Sequence, residues 1–147
     1  MERMQIVKVV PDAYRAVLGL QRYVSEHVDP GLLKLVMLRA SIVNGCVFCV
    51  DMHSGELLDA GEDVRRVVAV SAWHESPFFT DRERVTLRLT DAVTRLGDGG
   101  VPDDVWDPVV KEFGETGAAD LVVAIATINV WNRLLVSTRR QPPPLAA

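Results

Sequence analysis

The chain has 147 residues, 48% hydrophobic and 24% charged, with a net charge of −4 from 16 basic and 20 acidic side chains. That length suits one domain burying about two thirds of the surface its unfolded chain exposes, and the composition argues against disorder. No basic cluster marks a nucleic-acid partner, and no apolar run approaches the roughly 20 residues needed to cross a bilayer.

The longest apolar candidate, Leu121 to Val130, is broken by Thr127 and Asn129. Met1 to Val10 lacks the apolar core and small-residue cleavage site of a signal peptide, so the expected compartment is the cytoplasm.

Apolar residues recur at helical spacing, which predicts an all-α, single-domain bundle of about six to seven helices over residues 1–140. A first helix is predicted from Pro11-Asp12 to about Glu26. A second starts at Asp29-Pro30, with Asp29 as N-cap, and stops at Asn44-Gly45. A third starts at or near Cys46 and ends before Gly61, and a fourth covers Glu62 to about Trp73. Ser76-Pro77-Phe78-Phe79 reads as a turn. Thr80-Asp81-Arg82-Glu83 fits a capping box opening a helix to about Leu96. After a loop at Gly97 to Gly100, a sixth helix spans Asp103 to Glu115. Pro108 inside it would fit better if the helix began near Asp107. Ala118 to about Thr138 is the last and longest. The tail, residues 141–147, has three consecutive prolines and is expected to be extended or disordered. Leu35-Val36, Ala40 and Ile42 are echoed by Leu121-Val122, Ala126 and Ile128, compatible with two related helix pairs around one core. Trp73, Trp106 and Trp131 are expected as core anchors, and His27 and His74 as incidental.

The chemistry concentrates in Cys46-Val47-Phe48-Cys49-Val50-Asp51-Met52-His53. On a helix Cys46 and Cys49 are i and i+3, and Cys49 and His53 are i and i+4, so all three share one face. At a helix N-terminus, unpaired N–H groups and the partial positive charge stabilise a thiolate, the attacking form of cysteine. His53 is placed to accept the Cys49 proton or to hold it in an ion pair. Two duller readings stand beside this one. The cysteines are ordinary buried residues, or the three side chains are zinc ligands, although no fourth ligand lies at a familiar spacing. No cofactor or metal is expected.

The sequence resembles the alkylhydroperoxidase D-like proteins of the carboxymuconolactone decarboxylase superfamily. The matching residues are Leu38-Arg39-Ala40-Ser41, Asn44-Gly45-Cys46-Val47-Phe48-Cys49, Asp51-Met52-His53 and Gly61-Glu62. Ser71-Ala72-Trp73, Ser76-Pro77-Phe78, Thr80-Asp81-Arg82-Glu83-Arg84 and Asn129-Val130-Trp131-Asn132-Arg133-Leu134 follow. The resemblance implies a homo-oligomer, often a trimer or hexamer, that reduces hydroperoxides through the cysteine pair. It implies that Cys49 attacks and passes through sulfenic acid, that Cys46 resolves it to a disulfide, and that His53 joins the proton relay. A lipoyl-bearing or thioredoxin-like reductant then restores the thiols.

Two positions depart from the family pattern. Lys34 stands where the relay commonly has glutamate, twelve residues before the first cysteine. A charged lysine is no base, but its cation favours a nearby thiolate. Phe48 replaces a histidine and is expected to wall the site. Glu56, one turn past His53, either orients the imidazole or is a solvated helix residue. The leading expectation is a thiol-dependent peroxidase. The alternatives are a disulfide carrier or redox sensor, and a non-redox decarboxylase relative. The two cysteines count against the last.

Overall fold

A computed structural model describes residues 1–145 of the chain. Seven helices follow in order: α1 (Ile6–Val9), α2 (Pro11–His27), α3 (Pro30–Asn44), α4 (Val47–Asp59), α5 (Val64–Ala69), α6 (Asp81–Thr94) and α7 (Asp103–Thr138). A short 3-10 turn, Val70–Ala72, follows α5, and no strand occurs among the described residues. Residues 141–145 carry no helix, in line with the expected tail, whose residues 146 and 147 lie outside the described residues.

The central helix is α3. Asp29 starts it, its side chain accepting from Gly31 N and Leu32 N at 3.0 Å each, and Pro30 occupies the first turn. Its residues are buried on every side, as expected of a helix apolar all round. One side joins a core built with α2, α6 and α7 around Val36, Met37, Leu89, Ile125 and Ile128. The other joins Leu57, Val67, Val70, Trp73 and Phe79 from the α4–α5 half. The echoed segments of α3 and α7 pack against each other, though Ala40 is buried and its counterpart Ala126 is exposed.

Arg39 is 4% exposed within α3, and a buried charge must be paired. Its guanidinium meets both oxygens of Asp91 at 2.6 and 2.9 Å and donates to the Val70 and Ser71 carbonyls at 3.1 and 2.8 Å. This explains why the helix expected over Glu62 to Trp73 is shorter. Asp63 caps α5 at Arg65 N, and Arg39 takes the carbonyls where the 3-10 turn replaces α-helix. Trp73 is a core anchor whose Nε1 donates to Asp91 at 3.2 Å. Trp106 is not one: it is exposed on the outer face of α7.

The capping box at Thr80 forms as expected, with Glu83 N donating to Thr80 Oγ1 at 3.3 Å and Thr80 N to Glu83 at 2.8 Å. Arg66 reaches the same glutamate at 2.7 Å and Glu62 at 2.9 Å, locking α5 to α6. Burial pushes the Glu83 carboxyl up, but hydrogen bonds from Arg66 and Thr80 prevail and hold it below its ordinary value.

The last two expected helices are two arms of α7, broken at Gly114, whose φ of 70° is open to glycine. The first arm starts at Asp103, earlier than Pro108 suggests. The proline cannot donate to the Asp104 carbonyl, and Arg88 Nη1 donates to that oxygen instead at 3.1 Å. By length and composition α7 passes for a membrane span, but 44% of its most apolar window is buried, and Leu121, Ile125 and Ile128 form the core.

Candidate active site

The chain between α3 and α4 is fixed before any side chain is considered. Gly45 adopts φ 66°, its N–H donates to Ile42 O at 3.2 Å, and Cys46 N–H donates to Ser41 O at 3.0 Å. This is a Schellman closure, and Gly45 supplies the left-handed residue it needs. Cys46 then becomes the N-cap of α4, with its carbonyl accepting from Val50 N at 2.8 Å. Cys49 follows in the first turn, where free N–H groups collect. The two cysteines are joined as a disulfide, their Cα atoms 5.3 Å apart.

A cluster of asparagines holds this corner to α7. Asn44 Nδ2 donates to Asn129 Oδ1 at 3.0 Å and to Asn132 Oδ1 at 2.9 Å. Asn132 Nδ2 donates to Ser41 Oγ at 3.1 Å, and Ser41 carries the carbonyl that receives Cys46. Asn132 is fully buried, so each bond replaces one that water would have made.

Cys49 opens into a cavity of about 530 Å³ between α2, α3, α4 and α7. Met37, Phe48, Met52 and Trp131 give it apolar walls, and His53, Glu56, Lys34 and Tyr14 are its charged or titratable lining. Cys49 itself has no exposed surface, and Cys46 lies behind it, outside the lining. His53 is 7% exposed and its Nδ1 lies 2.8 Å from Glu56 Oε2. Glu56 is therefore an orienting partner for the ring, although it is half exposed at the cavity edge.

Every residue singled out from the sequence thus has a place. Cys49, His53 and Lys34 share the cavity, Cys46 backs it, and Phe48 walls it as expected. Sequence reasoning did not find the asparagine cluster, whose one signal is Asn129 and Asn132, an i, i+3 polar pair in an apolar helix. Nor did it find α1 and the terminal strap. Arg3 N donates to Thr138 O at 2.9 Å, Arg140 pairs with Glu2 at 2.9 Å, and the Arg140 guanidinium lies 5.4 Å above the Phe48 ring. The strap closes the back of the Phe48 wall.

An all-helical domain with a cysteine pair opening a helix beneath an apolar cavity defines the class. The chain belongs to the carboxymuconolactone decarboxylase family, whose profile matches residues 10–92. A crystal structure of a protein of unknown function from Agrobacterium tumefaciens, described as a candidate antioxidant defence protein AhpD, superposes with a TM-score of 0.95. It is 39% identical and covers 99% of this chain and 100% of its own. The uncharacterized protein YdfG of Bacillus subtilis is 28% identical over 92% of this chain and 93% of its own length. The debrominase Bmp8 shares the fold, with a TM-score of 0.78 at 20% identity over 90% of this chain and 72% of its own.

Proposed function

We propose that the protein is a thiol-dependent peroxidase, an oxidoreductase that reduces hydroperoxides by cycling Cys46 and Cys49 between dithiol and disulfide. The observation that carries this reading is the position of Cys49. It faces an apolar cavity from the first turn of α4, bonded to Cys46, with an oriented histidine one turn further on.

In the reduced state, the helix N-terminus and the nearby Lys34 cation favour the Cys49 thiolate. The thiolate attacks one peroxide oxygen, an S–O bond forms and the O–O bond breaks. The departing alkoxide takes from His53 the proton that the ring accepted from the Cys49 thiol, and leaves as the alcohol. Because Nδ1 is held by Glu56, Nε2 is the ring nitrogen that exchanges this proton. Cys46 then attacks the Cys49 sulfenic acid, an S–S bond forms, and hydroxide leaves as water with the Cys46 proton. A dithiol reductant, lipoyl-bearing or thioredoxin-like, restores both thiols and becomes a disulfide. Such a cycle belongs in a reducing compartment, and we place it in the cytoplasm.

The test is consumption of tert-butyl hydroperoxide by the purified protein with dihydrolipoamide as reductant. Sustained turnover is expected, and Cys49→Ser abolishes it. Reduction of the disulfide without peroxide consumption would make the protein a disulfide carrier instead, a reading that Lys34 at the usual glutamate position favours.

A further inference from the structure

We infer that the cavity takes the hydroperoxide of an acyl-chain carboxylic acid, with the substrate carboxylate paired to Lys34. This rests on the peroxidase reading for the chemistry at Cys49, but not for the binding itself.

Lys34 is the one fixed cation of the cavity lining, and the one carboxylate there, Glu56, is held by His53 Nδ1 at 2.8 Å. Lys34 is half-buried and makes no ion pair among the described residues. The carboxylates bordering the hollow on its other side, Glu62 and Glu83, are both taken by Arg66, at 2.9 and 2.7 Å. A cation beside apolar walls and without a counterion is completed by an anionic ligand, and the pair is stronger there than in water. Leu33, Met37, Met52 and Leu135 offer an apolar length that suits a hydrocarbon chain, beside the neutral polar side chains of Tyr14, Gln21 and Ser25. One cation with Glu56 in the same cavity suits a monoanion and opposes a phosphate dianion. The peroxide group, carried along the chain, is then held at Cys49, and the product is the hydroxy acid. Lys34 is thereby a specificity-determining residue.

Calorimetry with octanoate and 1-octanol tests the pairing without any peroxide. Octanoate is expected to bind the wild type about tenfold more tightly than the alcohol. Lys34→Met removes the difference, Lys34→Glu reverses it, and added salt weakens octanoate but not octanol. Equal binding by the wild type, or a preference that survives in Lys34→Met, overturns the inference. A parallel assay compares kcat/KM for a hydroperoxy fatty acid and its methyl ester. If the octanoate preference holds while no hydroperoxide is consumed, the peroxidase reading has failed and the carboxylate site stands.

Discussion

At the cavity edge, Glu56 does two things that an exposed helix glutamate ordinarily does not. It fixes the ring of a buried histidine, and on the peroxidase reading it would fill the acidic part of the relay that Lys34 leaves vacant. Glu56→Gln keeps the volume and removes the charge. We expect kcat with tert-butyl hydroperoxide to fall about tenfold to a hundredfold, with KM and the circular dichroism spectrum unchanged. A parallel rise in KM, or no change in kcat, would return Glu56 to the solvent. At this scale the sequence was legible where partners sit on one helix. Cys49 and His53 fall on one face by spacing alone, whereas Cys46, expected on that face, is the N-cap before α4 and lies behind Cys49. Glu56 has the same local spacing, but a glutamate one turn from a histidine looks like any surface residue until the histidine is known to be buried. That Lys34 faces the same cavity depends on how α3 packs on α4, which spacing does not encode.

Among the elements, the corner between α3 and α4 carries the most consequence. Its glycine and the start of α4 could be read from Asn44-Gly45-Cys46, because a glycine past a helix end is a local signal. Its attachment to α7 could not, because Asn44 and Asn132 are far apart in the chain and meet only in the fold. Asn132→Ala leaves the Asn44 amide and the Ser41 hydroxyl short of partners in the interior. We expect a loss of about 2 kcal/mol in urea unfolding and a Tm lower by roughly 4–8 °C. A variant as stable as the wild type would show that water replaces the bonds. The start of α7 at Asp103 was legible, but what makes Pro108 tolerable inside it was not. Pro108 argues against helix on local grounds, and Arg88 from α6 supplies the donor that makes it tolerable. The shortened α5 follows the same rule, since Arg39 on α3 claims its carbonyls.

For the molecule as a whole, the period of the apolar residues was enough to identify an all-helical fold. The exposed apolar surface suggests more than one copy: Leu18 and Leu20 on α2 and Val64 and Val68 on α5 are between 43% and 67% exposed. We expect light scattering at micromolar concentration to give a multiple of 16.2 kDa, three or six copies being what the sequence resemblance implies. A particle of monomer mass across that range would count against assembly. The closure at Cys46 has a consequence for how such a molecule works. The hydrogen bonds that turn the chain from α3 into α4 are all made by main-chain atoms, and none passes through sulfur. We therefore expect the scaffold to survive breakage of the S–S bond, with the oxidised and reduced proteins sharing one backbone. On the peroxidase reading, each round would then need two side chains to swivel and no segment to refold, so the resting and working forms would present the same outer surface to a docking reductant.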